Sequence, residues 1–318
     1  MPNVTVWREA ASYALKADTP MLSKILVPLD GTEIAEAGLV WAEHAARRSG
    51  ASLHLLTIVE PDHPEAATRM KEAEAYLQSR RDQLKNTGLN VKIEVANGEP
   101  SRTILERAEA VDLTVASSGT VRWLISAVLD RVLQRMTRPL VVVRASSTQA
   151  PIAPNTDKIL VAVDQSDPSG DIIPVVRDFA KALGSSVTVC HAVAPVLDEY
   201  GQPALAHTAS ASASLHEANF FVERVAQQLQ DEGIEIETVV AVGDAPGQIV
   251  RTAQRSGAGL IALATRGRDH LDSRLVGSTA NAVLHSTRLP CLLTRRAAVG
   301  AQAGSRSSTS SGANRSHL

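Results

Sequence analysis

Apolar residues fall into two patterns that alternate along the chain. From Lys158, "KILVAVD" is an unbroken, β-branched run too short for a helix, whereas "PSGDIIPVVRDFAKALG" spaces its apolar positions three and four apart before a closing glycine. The first pattern predicts a buried strand and the second a helix ended by a glycine cap. "SSVTVCHAV" is strand-like again. A long helical stretch follows over about 210–231, then the run "IEIETVVAV", a helix from about Pro246 to Ser256, the run "GLIALAT", a glycine-bearing loop, a helix from Ser278 to His285 and a last run, "PCLLTRR". Strands separated by helices require right-handed crossovers and a parallel sheet covered on both faces. The prediction is a doubly wound α/β domain of five strands.

The same order of segments occurs once before. "KILVPLDGTEIAEAGLVWAEHAARRSGASLHLLTIVEP" from Lys24 matches the stretch from Lys158 at an offset of 134, aligning Asp30 with Asp164, Gly50 with Gly184 and Pro61 with Pro195. Further on, "NGEPSRTILERA" matches "VGDAPGQIVRTA" at an offset of 145, and Pro139 matches Pro290 at 151. A period this long means duplicated domains, not the 20 to 50-residue units of a solenoid. Two tandem doubly wound parallel-sheet domains are therefore expected, at 22–145 and 157–297. A Ser-, Pro- and Ala-rich linker at 146–156 joins them. Residues 1–21 form an N-terminal extension with helical spacing of Trp7, Ala11, Ala14 and Leu15, and 298–318 form a small, polar tail expected to be disordered. "RPLVVVR" and "LPCLLTRR" are apolar edge strands that need cover, so the halves are expected to pack on each other as a pseudo-dimer.

Composition removes some classes of function. With 32 Lys+Arg against 34 Asp+Glu, the chain has no field to gather nucleic acid or an anionic membrane. No apolar run reaches the roughly 20 residues of a membrane span. Cys190 and Cys291 have no metal-ligand spacing, and two cysteines in a long chain suit a reducing compartment, so a cytoplasmic protein is expected.

Chemistry concentrates in "ATRGRDHLDSRLVGST", residues 264–279, where Gly267 and Gly277 stand ten positions apart with arginines between them. Glycine is favoured where backbone turns with positive φ or approaches a ligand closely. Gly277 would let backbone approach a phosphate, Ser278 would supply a hydroxyl and an N-cap, and the helix starting there adds its positive dipole end. Asp164 ends the first strand of the same repeat. If the first and fourth strands are neighbours, Asp164 and this loop face one crevice at the point where strand order reverses. That set suits a nucleoside phosphate. No G-x4-G-K-[ST] and no G-x-G-x-x-G after a first strand is present, and no Ser/His/Asp or Cys/His set offers a nucleophile with its base. His191, at a strand end, is read as a satisfied semi-buried histidine.

With strand "ILVAVDQS", strand end "CHAV", "VGDAP" before a helix and "RLPCLL" before the last strand, the loop pattern G-x2-G-x9-G-[ST] resembles the universal stress protein family over about 157–296. The first repeat follows the same order over 22–145, so the chain is similar to a tandem member. The resemblance implies an adenine nucleotide alpha hydrolase-like fold with strand order 3-2-1-4-5, and ATP, with or without Mg2+, as cofactor. It implies that Asp164 contacts the adenosine, that Ala162 and Ala192 line the base pocket through backbone, and that Leu263 and Ala264 flank the ribose and phosphates. Gly267, Gly277, Ser278 and Thr279 would hold the triphosphate, and of the loop's arginines Arg268 is the one read as contacting phosphate. Ala264 stands where the pattern has its first glycine. The first repeat keeps Gly119, but only seven positions separate it from Ser126, the residue matching Gly277, and Ser126-Ala127 replace Gly-Ser. ATP binding by the second repeat in a stress-response role, with slow hydrolysis at most, is the expectation, in a chain that forms a homodimer. A nucleotide-free scaffold and an ATPase or phosphotransferase using His270 or Asp272 are the alternatives.

Overall fold

The fold comes from a computed structural model that describes residues 22–62, 64–119, 126–145, 152–164, 167–195, 209–265 and 277–295. The N-terminal extension, the tail, linker residues 146–151 and the loop positions Gly267, Arg268, His270 and Asp272 lie outside the described residues. The first half runs β1 (Lys24–Pro28), α1 (Glu33–Ser49), β2 (Ser52–Val59), α2 (Ala66–Leu84), β3 (Val91–Asn97), α3 (Pro100–Ala108), β4 (Leu113–Gly119), α4 (Ala127–Arg135) and β5 (Leu140–Ala145). The second runs β6 (Lys158–Ala162), α5 (Asp167–Leu183), β7 (Ser186–Val193), α6 (Ala209–Gln230), β8 (Ile236–Val242), α7 (Ala245–Ser256), β9 (Leu260–Thr265), α8 (Ser278–Ser286) and β10 (Cys291–Arg295). Every element expected of the second repeat is present, with boundaries displaced by one or two residues.

Local chemistry sets where helices start and stop. Thr32 caps α1, its hydroxyl accepting the Ala35 N–H at 3.2 Å, and Asp244 caps α7, its carboxylate accepting the Gly247 N–H at 3.0 Å. Both helices close on a glycine in the left-handed region, Gly50 at φ 75° and Gly257 at φ 71°. A side chain there would carry the steric cost of positive φ, which glycine avoids.

The ten strands make one sheet in the order β3-β2-β1-β4-β5-β10-β9-β6-β7-β8. Each half shows the 3-2-1-4-5 order with parallel pairing throughout, and the halves join where β5 and β10 pair antiparallel, Val142 opposite Cys291, Val141 opposite Leu292 and Leu140 opposite Leu293. The two apolar edge strands thus cover each other. Strand alternation then divides the join between layers. Val141 and Leu292 enter the core under α1, α2, α5 and α6, while Leu140, Val142, Cys291 and Leu293 enter the core under α3, α4, α7 and α8. Both layers run without a break across the two halves.

Polar contacts flank this join. His44 Nε2 lies 3.1 Å from Thr156 Oγ1, and Arg48 pairs with Asp157 while donating to the Gly184 carbonyl at 3.4 Å. Arg48 and Asp157 are both substantially exposed, so their pair contributes about 0–1 kcal/mol. Apolar burial at the strand pair contributes more. Leu292→Ala, which empties a fully buried site at the centre of the join, is expected to destabilise the protein by about 2–5 kcal/mol, measured by denaturant unfolding. Arg48→Ala is expected to cost at most about 1 kcal/mol in the same measurement.

Candidate functional site

In the second half the chain leaves adjacent strands toward opposite layers. β6 and β9 pair with Ala162 opposite Leu263, yet β6 leads into α5 on one face of the sheet while β9 is followed by α8 on the other. Such a switch point leaves a crevice beyond the strand ends. It is lined by Ala162 at the end of β6 and Val163 and Asp164 just after it, Cys190 and Ala192 on β7, Ala245 and Ile249 on α7, Leu263 and Ala264 on β9, and Gly277, Ser278, Thr279 and Ala280 at the start of α8. The structure thus brings together Ala162, Asp164, Ala192, Leu263, Ala264, Gly277, Ser278 and Thr279 of the sequence-derived set. Gly267 and Arg268 lie outside the described residues.

The lining is apolar at its floor and polar at its rim. Cys190 is fully buried, and burial pushes its thiol above the ordinary range, only partly opposed by a hydrogen bond with Thr252. It is a neutral thiol and offers no nucleophile. Ala264 lines the crevice, but its side chain packs against the layer of α5, opposite to the layer that Leu263 enters. An alanine is therefore accommodated where the loop pattern has glycine. His191 is buried, and its Nδ1 lies 2.8 Å from the Val163 carbonyl oxygen, with the ring edge-on to Phe221 at 5.2 Å. Because a carbonyl only accepts, Nδ1 carries a proton and donates it. His191 thereby fixes the backbone just before Asp164, whose side chain stands exposed at the mouth.

Two helices open on the crevice, and they are capped differently. Asp244 closes the N-terminus of α7, whereas α8 has Gly277 at its cap position, with φ −47° and ψ 143°, and no side-chain cap among the described residues. This corrects the expectation for Ser278: the cap position belongs to Gly277, and Ser278 is the first residue of the helix. Positive φ is not what glycine serves at 277; there it is an accepted N-cap residue and leaves the crevice wall without a side chain. The first intrahelical bond runs from Asn281 N to Gly277 O at 2.9 Å, so the amides of Ser278, Thr279 and Ala280 precede the ladder and stand at the crevice. Three amides and a positive dipole end suit an anion.

The first half has lost this arrangement. Ser126 caps α4, its hydroxyl accepting the Leu129 N–H at 3.2 Å. Asp30 accepts the backbone N–H of Thr32 at 3.0 Å and its hydroxyl at 2.6 Å, which commits it to the turn before α1. Glu99, the cap of α3, also holds Arg131 of α4 at 3.4 Å, so an ion pair ties the two helix starts together. The equivalent pair in the second half would be Asp244 and Ala282, and no such tie can form.

The molecule is thus a tandem doubly wound α/β protein with a strand-end crevice built in its second half. It belongs to the universal stress protein family, whose model matches residues 21–144 and again 155–295. A universal stress protein of Mycobacterium tuberculosis is 26% identical over 294 residues, covering 86% of this chain and 97% of its own. One from Bacillus subtilis is 24% identical over 154 residues, 44% of this chain and 99% of its own. The crystal structure of a universal stress protein from Archaeoglobus fulgidus superposes with a TM-score of 0.64 at 17% identity, covering 87% of this chain and 97% of that one.

Reading the sequence missed Val163, Cys190, Ala245, Ile249 and Ala280 as lining residues. Cys190 was within reach, since strand alternation puts it on the face of Ala192. The capping contrast makes a prediction: Ser126→Ala is expected to destabilise the protein by about 0.5–2 kcal/mol in denaturant unfolding, through loss of the α4 cap.

Proposed function

We propose that the chain binds one ATP, in the crevice of its second domain, residues 157–297, and that the bound nucleotide governs a stress-response or regulatory role. Residues 22–145 act as the companion domain. The observation that carries this reading is the start of α8, where three amides, with no capping side chain among the described residues, meet a crevice floored by strand ends and flanked by Asp164. These groups fit a nucleotide: Ala162 and Ala192 would receive the base, Asp164 the adenosine hydroxyls, Leu263 and Ala264 the ribose, and Gly277, Ser278 and Thr279 the phosphates, with Gly267 and Arg268 completing the phosphate loop. ATP would supply the negative charge that the uncapped amides lack.

Among the described residues no group of three His, Cys, Asp or Glu side chains is placed to hold a metal ion; a magnesium ion that accompanies ATP would be held with the phosphates. Asp164 is the one carboxylate on the described lining, and His191 Nδ1 is committed to Val163; slow hydrolysis at most is part of the same proposal. No described helix is long and apolar enough to cross a membrane. A cytoplasmic homodimer is the assembly we propose.

Calorimetry with ATP tests the reading. The wild type is expected to bind one nucleotide per chain. Gly277→Asp puts a carboxylate where phosphate would approach and is expected to abolish measurable binding, while as an N-cap it leaves folding stability within a few tenths of a kcal/mol. Asp164→Ala should weaken binding less, and Asp30→Ala hardly at all. Two equivalent sites, or a site lost with Asp30 and retained in Gly277→Asp, would assign the ligand to the other half.

A further inference from the structure

Helix α8 has weak local support. It is nine residues long, and helices shorter than about 12–15 residues are marginal by themselves. Its N-terminus has no side-chain cap among the described residues. Ala280, Val283 and Leu284 pack it on the sheet, and at its other end the support comes from the opposite half of the molecule. Arg144, on β5 of the first half, donates from Nη1 to the carbonyl oxygen of Leu284 at 3.1 Å. Leu284 is among the last four carbonyls, which a helix cannot satisfy internally; its neighbour Val283 is taken by the Thr287 N–H at 3.0 Å.

The surroundings of Arg144 suggest that this contact is not incidental. Its Nε is buried and has no hydrogen-bond partner among the described residues. Burial holds the guanidinium below its ordinary pKa, and the charged or titratable neighbour is Cys291, a fully buried thiol pushed up to about 12 and therefore neutral. With no carboxylate acting on it among the described residues, the cation is compensated by the negative end of α8. A half-buried cation whose hydrogen bond among the described residues goes to a single carbonyl is a costlier feature on a domain join than an apolar residue that packs there.

We infer that Arg144 is a positioning residue for the nucleotide site of the opposite half, holding the C-terminal end of α8 so that the amides of Ser278, Thr279 and Ala280 stay presented to the crevice. This rests on the nucleotide reading proposed above. The site of the second domain is then incomplete without the first. The physical link is population: if α8 is seated in only a fraction of molecules, apparent affinity falls by that fraction.

Two measurements on the full chain test this, for the wild type, Arg144→Met and Arg144→Lys. Hydrogen exchange of the α8 amides in nucleotide-free protein is expected to accelerate about tenfold or more in Arg144→Met and less in Arg144→Lys, while amides of α3 and α4 keep wild-type rates. ATP calorimetry is expected to show Kd raised about tenfold in Arg144→Met and partly restored in Arg144→Lys, which retains a cation. Exchange in α8 that is unchanged in both variants overturns the inference, and so does faster exchange with ATP affinity within twofold of wild type. A wild type that binds no ATP overturns the nucleotide reading and the inference with it, whereas a binding wild type matched by Arg144→Met overturns the inference alone. Should Arg144→Met fail to fold, Arg144→Lys decides by the same two criteria.

Discussion

The antiparallel pairing of β5 with β10 is the constraint on which the rest of this molecule depends. Each half on its own is a five-stranded sheet with one long apolar edge, and such an edge offers unpaired backbone groups to any strand that meets it. Placing the two edges together satisfies those groups and, through strand alternation, feeds Val141 and Leu292 into one core and Leu140, Val142, Cys291 and Leu293 into the other. The two layers of helices therefore rest on continuous apolar floors. Crevice geometry follows, because β9, which supplies Leu263 and Ala264, is held between β10 and β6.

On this symmetric frame the two halves treat the same place differently. In the first, the described groups at this place are engaged with one another: Ser126 caps α4, Asp30 accepts from Thr32, and Glu99 pairs with Arg131. In the second, α7 is capped by Asp244, whereas the first amides of α8 meet a cleft with no side-chain cap among the described residues. A buried or confined N–H without a partner has a cost, and that cost is offset when a ligand supplies the acceptor. The two halves thus differ at one position: Ser126 caps α4 in the first, and Gly277 starts α8 without a side-chain cap among the described residues in the second.

Much of this was legible in the sequence because it depended on short-range pattern. Runs such as "KILVAVD" and "GLIALAT" are too short and too apolar for anything but buried strands, and the offset matches fixed the duplication. The switch-point placement of Asp164 against the start of α8 followed from strand order. What escaped were features set by atoms rather than by residue types. Gly277 and Ser278 are both acceptable N-caps, so only backbone angles could assign the cap. The direction of the Ala264 methyl depends on strand register, and the Glu99–Arg131 tie joins residues 32 positions apart with no motif to announce it. Arg144 was hidden for the same reason, as its partner is a backbone carbonyl 140 positions away.

The tether between the halves changes what the β5–β10 pairing must withstand. Two separate subunits would have to find each other from solution, and their contact would fail on dilution. Residues 146–156 instead make the encounter intramolecular, at an effective concentration on the order of millimolar whatever the abundance of the chain. A substitution in a symmetric dimer of identical subunits is also imposed on both copies of a site. A single polypeptide carrying two unequal copies escapes that coupling, so one cleft can be sealed for stability while the other stays open to a ligand.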